Sequence, residues 1–253
     1  MNNQDSGLWP RIKNYVFLLI AILTIGIAFG VEMMVNPPET APFDLLPALL
    51  RGLATTIQLT LAGAALALVV AVLTGVARAS KNVIVRSVTG LYVEIFRGSS
   101  ILVQMFWIFF VLPLPPFNLE LSALQAGILA LGLNVGAYGA EVVRGAIQAI
   151  PRGQIEATIA LNMSPGLRMR RVILPQAMVR ILPPFGNLLI ELLKATSLAS
   201  LITLSDVTFQ ALSLRQTVGR TTEVFGLLLV IYFLLAYPLT LGVRWLERQR
   251  RWA

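Results

Sequence analysis

Six long apolar stretches divide this chain, and they limit it to one kind of fold. They lie at about residues 14–35, 52–77, 89–112, 122–147, 178–203 and 223–243. A helix needs about 20 apolar residues to cross the hydrocarbon core of a bilayer, so each stretch is long enough to span a membrane. A transmembrane β-barrel would instead show short segments of alternating hydrophobicity. The sequence therefore predicts an all-α fold, a polytopic bundle of six transmembrane helices.

The composition agrees with a membrane protein and excludes several chemistries. Of the 253 residues, 57% are hydrophobic and 13% are charged, and the mean hydropathy is +0.78. A soluble domain carries about 25% charged residues. The chain has no cysteine and no histidine, which excludes disulfides, thiol nucleophiles and the commonest metal ligand. We expect no catalytic residue, metal site or bound cofactor in this chain.

The lysine and arginine residues predict which side of the membrane each end faces. Fifteen of the 20 lie in or beside gaps on one side of the spans, whereas only Arg51, Arg215 and Arg220 lie in the opposite gaps. Because cytoplasmic segments are enriched in these residues, both termini and the long segment at about 148–177 are predicted to be cytoplasmic. The net charge of +8 reflects this topology, and we expect the bilayer, not nucleic acid, as the partner.

The predicted organisation has three parts. Residues 1–50 hold a polar tail, the first span and an external connector, residues 51–245 form the membrane core, and residues 246–253 are a basic tail. The apolar run of the first span is longer than the roughly 7–15 residues of a signal peptide's apolar region. It also lacks a clear cleavage site, so we interpret it as a retained helix.

Small residues in two spans predict close helix packing. They recur at a spacing of four, which places them on one helix face where another helix can approach closely. This pattern favours tight packing inside one bundle. The residues are Gly63, Ala67, Ala71, Gly75 and Ala79 in the second span, and Gly132, Gly136 and Ala140 in the fourth.

Three local features predict interruptions or loops. The run of Gly98, Ser99 and Ser100 would either let a chain or ligand come close to the third span or loosen its helix. Pro183 and Pro184 should break or kink the fifth span. Residues 204–222, between the fifth and sixth spans, are predicted to form an external loop.

Polar side chains inside the spans are candidates for a solute pathway. Glu94 and Arg97 share a helix face in the third span, and Asn134, Tyr138 and Glu141 form one stripe on the fourth. Ionisable residues at membrane depth are costly and usually face protein or a water-filled cavity. The spacing fits a pathway lining, and it equally fits a structural ion pair and a polar contact between helices. In the fifth span, Glu191 and Lys194 are likewise three residues apart.

The segment at about 148–177 is predicted to be an elbow of two short helices. The first, at about 152–162, ends at Asn162, a residue that readily adopts the left-handed conformation. Ser164 followed by Pro165 is a helix-start signal, and the second helix is predicted to end at Pro175. Within the first helix, Glu156 stands beside the small Ala157, a pairing that suits insertion into a groove on another protein.

The elbow carries a family resemblance. Its sequence GQIEATIALNMSPGLRMRRVILPQA resembles the EAA loop of binding-protein-dependent ABC importers, the signature of their membrane permeases. Glu156, Ala157 and the run Val172–Pro175 match the family pattern, whereas Thr158 replaces its second Ala and Asn162 its Gly. The stretches at 52–61, 92–106, 136–157 and 182–202 resemble the polar amino acid subfamily of histidine, arginine and glutamine importers.

The resemblance implies a multi-pass permease in a bacterial cytoplasmic membrane. It would import polar amino acids or related zwitterions by alternating access. No GxxxxGK[ST] phosphate loop is present, so ATP and Mg²⁺ are expected in two separate cytoplasmic ATPase subunits. The other expected partners are a second permease, identical or related, and an external solute-binding protein. The alternatives are a secondary transporter and a structural membrane subunit without its own solute site.

Two sets of site residues follow. The ATPase is expected to dock on Gln154, Glu156, Ala157, Ala160, Asn162, Ser164 and Pro165. The candidates for the substrate pathway are Glu94, Arg97, Asn134, Tyr138 and Glu141.

Overall fold

The computed structural model describes residues 42–80 and 82–249. Within these ranges the chain is helical and has no β-strand, as the sequence predicts. The predicted first span at 14–35, the connector up to residue 41 and the end of the basic tail from residue 250 lie outside the described residues.

Helices of very different lengths follow one another along the described chain. In order they are α1 Leu46–Leu50, α2 Leu53–Arg78, α3 Val83–Gly98, α4 Ile101–Phe106, α5 Ala123–Gln148, α6 Arg152–Ala160, α7 Pro165–Arg168, α8 Leu174–Ala195, α9 Val207–Val218 and α10 Thr221–Gln249. Turns of 3-10 helix occupy Pro42–Leu45 and Thr196–Ile202, and π-helical turns occupy Trp107–Val111 and Met169–Ile173.

Four stretches of the described chain are long and apolar enough to cross a membrane. They are Leu46–Arg78, Ala123–Gln148, Pro165–Ile202 and Thr221–Trp245. They confirm the predicted spans at 52–77, 122–147, 178–203 and 223–243. α3 and α4, with the π-helical turn that follows, are together apolar enough for a fifth span, but the two helices meet at a sharp bend.

The predicted span at 89–112 is not one straight helix. α3 meets α4 and its π-helical turn at an angle of 105°, as in a broken span or a re-entrant segment. Ser99 at the junction is extended, with φ −116° and ψ 156°, so the break lies at the predicted weak point. The side chain of Gln104 donates from Nε2 to the carbonyl of Phe96 at 2.9 Å and to that of Ser99 at 3.3 Å. These bonds satisfy carbonyls that the bend deprives of helical partners.

The crossing of α2 and α5 forms the centre of the bundle. Seven of the eight predicted small residues are buried, and the eighth, Ala79, is half-buried just after the end of α2. A Cβ added to Gly75 would lie 2.5 Å from the Cβ of Val143, and one added to Gly132 would lie 2.6 Å from Cδ2 of Leu66. The two backbones therefore approach too closely for larger residues at these positions, which confirms the predicted tight packing.

α8 passes through two prolines without interruption. Pro183 and Pro184 lie inside the helix, so the predicted break is wrong. A proline in a helix interior costs about 3 kcal/mol. However, the adjacent Phe185 and Gly186 are buried: Phe185 packs beside Gly139 of α5, and Gly186 packs against Val243 of α10. Tertiary packing on both sides outweighs the local penalty.

The predicted external loop contains a helix, α9. Asp206 caps it: its Oδ1 accepts a hydrogen bond from the N–H of Phe209 at 2.8 Å. The hydroxyl of Thr56 in α2 accepts another from the N–H of Val207 at 3.2 Å. Asp206 is fully buried, and this burial raises the pKa of its carboxyl. The capping pattern was present in the sequence, and the prediction of a plain loop overlooked it.

We expect Asp206→Asn to remove a pH dependence of stability. An aspartate has a pKa of about 3.9 when unfolded. Because the folded pKa is raised, the native state should lose stability as the pH rises from about 4 through the folded value. Asparagine keeps the acceptor for Phe209 without the charge. The midpoint of thermal unfolding of the variant in detergent should therefore no longer fall over this pH range.

Asp206→Ala provides the contrast. It removes the cap as well as the charge and should cost about 1 to 3 kcal/mol. If the Asp206→Asn protein keeps the wild-type pH dependence of thermal stability, the Asp206 carboxyl does not cause that dependence.

Candidate functional site

An elbow on the predicted cytoplasmic side connects α5 to α8. Asn162 closes its first helix in the left-handed conformation, with φ 53°. Ser164 caps the second, accepting a hydrogen bond from the N–H of Leu167 at 3.4 Å, with Pro165 at the first helical position. Pro175 does not end the second helix as predicted. It lies in the first turn of α8, where a missing N–H costs little, so the helical path continues.

The outer face of the elbow is open. Ile159 and Leu161 are 56% and 75% exposed there. Thr158 is instead buried, and its hydroxyl donates to the carbonyl of Ile155 at 2.6 Å. The Thr that departs from the family pattern therefore faces inward. All seven predicted docking residues are exposed: Gln154, Glu156, Ala157, Ala160, Asn162, Ser164 and Pro165. We call these seven residues, with Ile159 and Leu161, the elbow face.

Ile159 and Leu161 are not among the docking residues predicted from the sequence. Large apolar side chains grouped on a surface mark contacts with another protein or with membrane. The available signal was the shortness of α6, which has nine residues. Such a helix has one inward side, and Ile155 and Thr158 occupy it. The remaining apolar residues must then point outward.

The elbow is fastened to the spans on both sides. Gln176 at the start of α8 donates from Nε2 to Oε1 of Gln154 in α6 at 3.4 Å. The guanidinium of Arg180 in α8 donates to the carbonyl of Ala149 at the end of α5. Ile150, between α5 and α6, is 4% exposed and packs into the main core. A displacement of α6 should therefore move the ends of α5 and α8 with it.

Glu141 belongs to an ion network on α5, near the elbow. Its carboxylate lies 2.7 Å from Nη2 of Arg144 and 3.0 Å from Nη1 of Arg78, at the end of α2. Arg144 also donates to Oε1 of Gln148 at 2.8 Å. The carboxylate is thus compensated by two guanidinium groups, and the network ties α2 to α5.

The predicted polar stripe on α5 is divided between two environments. Asn134 is 7% exposed, and its Nδ2 donates to the carbonyl of Phe96 at 2.9 Å and to Oε1 of Gln104 at 3.1 Å. Tyr138 is 39% exposed. The guanidinium of Arg97 lies 5.2 Å from its ring centroid, and its hydroxyl donates to the carbonyl of Arg97 at 3.3 Å. Asn134 therefore holds the bend, whereas Tyr138 presents Arg97 at the surface.

Glu94 lies one helical turn from Arg97, and both residues are exposed. No ion pair joins them in the part of the chain that the structure describes. Hydrogen bonds connect Phe96 and Arg97 to Asn134 and Tyr138, which lie near the middle of α5. The structure therefore brings Arg97 and Tyr138 together near the middle of α5, with Glu94 one helical turn from Arg97 and Glu141 one turn nearer the elbow.

A groove of about 580 Å³ between α8 and α10 was not predicted. Its lining includes the aromatic residues Tyr232, Phe233 and Tyr237 together with Lys194. The rings of Phe233 and Tyr237 stack with centroids 5.4 Å apart. The two tyrosines inside an apolar span were the sequence signal, and Lys194 is the cation of the Glu191–Lys194 pair.

These features define a class of protein. The apolar bundle, the polar groups at mid-depth and the exposed elbow fastened to two spans are those of a membrane transport subunit that a partner drives. Residues 67–252 match the family described as the binding-protein-dependent transport system inner membrane component. The chain belongs to this family: it is a multi-pass permease subunit of an importer, a transport component and not an enzyme.

Curated relatives agree with this family. The chain is 47% identical over 214 residues to the probable amino-acid ABC transporter permease protein y4tF of Sinorhizobium fredii, covering 83% of this chain and 90% of the relative. It is 34% identical over 212 residues to the glutamine transport system permease protein GlnP of Escherichia coli, covering 84% and 97%. It is 35% identical over 214 residues to the L-cystine transport system permease protein TcyB of Bacillus subtilis, and the match covers 82% of this chain and 91% of that relative.

Solved structures agree with the fold. A chain from the crystal structure of an amino acid ABC transporter with histidines has a TM-score of 0.74 and 32% identity, covering 81% of this chain and 94% of that one. A chain of the MetNI methionine ABC transporter has a TM-score of 0.66 at 20% identity, covering 81% and 97%. The all-α fold class and the resemblance to polar amino acid permeases are confirmed.

We expect Asn134→Ala to destabilise the bend between α3 and α4. The change removes both side-chain hydrogen bonds, to Phe96 and to Gln104, at a position that is only 7% exposed. The cost should be about 1 to 3 kcal/mol in thermal or denaturant unfolding of the purified protein. Tyr138→Phe is the matched control on the same helix, because it loses one long hydrogen bond at an exposed residue and should change stability by less than about 0.5 kcal/mol. Equal losses in both variants would contradict the role of Asn134.

Proposed function

We propose that this chain forms one half of an ATP-driven import pathway for polar amino acids or related zwitterionic solutes. Relatives described as amino-acid, glutamine and L-cystine permeases support this class of cargo. The observation that carries the proposal is the elbow face, which is open to a partner and hydrogen-bonded through Gln154 to the start of α8.

The elbow face docks an ATPase. The chain contains no GxxxxGK[ST] phosphate loop, so a separate cytoplasmic subunit binds ATP and Mg²⁺. Ile159 and Leu161 supply apolar contact area, and Glu156 supplies a charge at its centre. Each permease takes one ATPase, so a complete importer holds two permeases and two ATPases. An external solute-binding protein delivers the solute at the opposite side of the membrane.

The fastening of the elbow supplies the coupling. When the two ATPases close on ATP, they carry α6 with them. The contact between Gln154 and Gln176 moves α8, and the contact between Arg180 and Ala149 keeps α5 in step. The pathway then changes from inward-facing to outward-facing. ATP and solute are coupled because each binds one of these two states better than the other.

Arg97 contacts the solute inside the membrane. Its guanidinium is held over Tyr138 at mid-depth and is free to pair with the carboxylate of an amino acid. Glu94, one turn away, can accept the ammonium group. Asn134 positions Arg97, because it holds the bend next to that residue. Glu141 is paired with arginines, and it joins α5 to α2 instead of contacting the solute.

We expect Glu156→Lys to abolish uptake while leaving the membrane fold intact. Glu156 is exposed on the elbow face, so the reversal of charge should disturb ATPase docking and not folding. The measurement is copurification of the ATPase, with solute uptake in vesicles that contain the complete importer. Glu120→Lys makes the same change at an exposed residue before the other end of α5 and should leave both readouts unchanged. Full copurification and uptake with Glu156→Lys would refute the docking surface.

We expect Arg97→Gln to reduce uptake about 10- to 100-fold, the value of a lost charge-assisted hydrogen bond. Arg97 is exposed, so thermal stability should stay near that of the wild type. Arg86→Gln is the control, because Arg86 is an exposed arginine nearer the start of α3. Solute uptake into vesicles is measured for both variants, and only Arg97→Gln should reduce it. Equal uptake by both variants would exclude Arg97 as a solute contact.

A further inference from the structure

The groove between α8 and α10 is long enough to hold one further transmembrane helix. Its lining residues on α10 recur every three or four positions, so they form one face of that helix, which runs from Leu229 to Arg244. This stripe is about 22 Å long, most of the roughly 30 Å of a bilayer's hydrocarbon core. Leu229 is 54% exposed and Phe233 is 59% exposed. An apolar face left open in the described part of the chain meets either lipid or another helix.

Lys194, on the α8 wall of the groove, distinguishes between lipid and protein as the occupant. It is exposed, and its ammonium group makes neither a hydrogen bond nor an ion pair within residues 42–80 and 82–249. Glu191, three residues earlier, does not line the groove. A charge at membrane depth requires protein or water beside it, and lipid acyl chains provide neither. The groove therefore favours a protein segment that carries an acid at the level of Lys194.

The predicted first span, at about 14–35, carries such an acid. Glu32 is the only charged residue of this stretch, and it lies near the predicted outer end. The stretch lies outside the described residues and before residues 67–252, the part of the chain that matches the family. The predicted topology runs it from the cytoplasm outwards, antiparallel to α10.

The connector after this span limits where the span can lie. Leu45, in the first described turn, packs in one cluster with Val224 and Ile231 of α10. Only residues 36–41 separate the span from that turn, so residue 35 lies within about 25 Å of Pro42 even if the connector is fully extended. The outer end of the span is therefore held on the α10 side of the bundle, within reach of the outer end of the groove.

We propose that the first span occupies the groove between α8 and α10, antiparallel to α10, with Glu32 paired with Lys194. The span covers the groove from lipid, and its carboxylate supplies the counter-charge that Lys194 lacks among the described residues. The long lysine side chain can extend towards the outer surface to meet it. This interaction goes beyond the proposed import function and does not rest on it, because it involves neither the elbow face nor Arg97.

The pairing also sets a register that fits the lengths of both helices. Tyr232 of α10 hydrogen-bonds with Thr196, two residues after Lys194, so Lys194 is nearly level with Tyr232. From Glu32 the span continues for 18 residues towards the cytoplasm, about 27 Å, to Asn14. From Tyr232, α10 continues for 17 residues, about 26 Å, to its end at Gln249. Both helices therefore reach the cytoplasmic surface together.

Cysteine crosslinking within one chain tests the contact, because the chain has no cysteine of its own. Single cysteines at residues 28–31, which cover one turn next to Glu32, are each combined with Phe233→Cys and treated with a short bifunctional maleimide. A protease site inserted in the connector at 36–41 then cuts the chain. At least one of the four pairs should keep the two fragments linked on a denaturing gel.

Leu234→Cys is the matched control for Phe233→Cys. Leu234 is the next residue and is 61% exposed, but it does not line the groove, so its four pairs should separate after cleavage. Equal linkage with Leu234→Cys, or separation of all four Phe233→Cys pairs, would overturn the proposal. Covalent dimers formed before cleavage, without linkage inside one chain, would overturn it too and assign the groove to a second copy.

Charge exchange tests the pair between Glu32 and Lys194. Lys194→Glu places two carboxylates together and should lower the yield of the Phe233→Cys crosslink roughly 10-fold. The double variant E32K/K194E restores opposite charges and should recover the yield. Glu191→Lys is the control, since Glu191 is exposed on α8 but outside the groove lining, and it should leave the yield unchanged. A double variant that crosslinks no better than Lys194→Glu would refute the pairing.

Discussion

The interior of a bilayer has no water to hydrogen-bond the backbone, and this constraint explains the least regular part of the fold. A bend of 105° at Ser99 would leave carbonyls without helical partners in a medium that cannot solvate them. Gln104 and Asn134 supply the missing donors to Phe96 and Ser99. The bend can therefore exist at mid-depth, and it places the exposed Arg97 immediately before the corner. The polar network is the structural support of the candidate site.

The absence of water in the bilayer interior also distinguishes the paired charges around Glu141 from the unpaired charges of Glu94 and Arg97. Glu141 is compensated by Arg78 and Arg144, so it holds helices together at little electrostatic cost. Glu94 and Arg97 have no such ion pair within the described residues, yet they are exposed at a similar depth. A charge left uncompensated at membrane depth needs a partner or water. The uncompensated pair, and not the network around Glu141, is therefore where the solute is expected to bind.

Local signals in the sequence predicted much of the fold. Runs of apolar residues located four spans, and capping chemistry placed Asn162 and Ser164 at the turn of the elbow, because these features depend on neighbours in sequence. The continuity of α8 through Pro183 and Pro184 depends instead on packing against α5 and α10. The roles of Asn134 and Tyr138 could not be separated either, since one spacing places both on the same stripe and only the position of α3 distinguishes them.

The elbow and the mid-membrane site are linked through one helix. α5 carries Tyr138 at its middle, Glu141 a turn further on, and Ala149, which accepts from Arg180 of α8, just after its end. A rigid helix transmits a displacement along its length, so no chain of side-chain rearrangements is required between the two sites. Movement of the elbow would shift Tyr138 relative to Arg97, because the cation–π contact and the hydrogen bond between them are the weaker links. The pathway is then expected to open where α3 meets α5 and not within the closely packed crossing of α2 and α5.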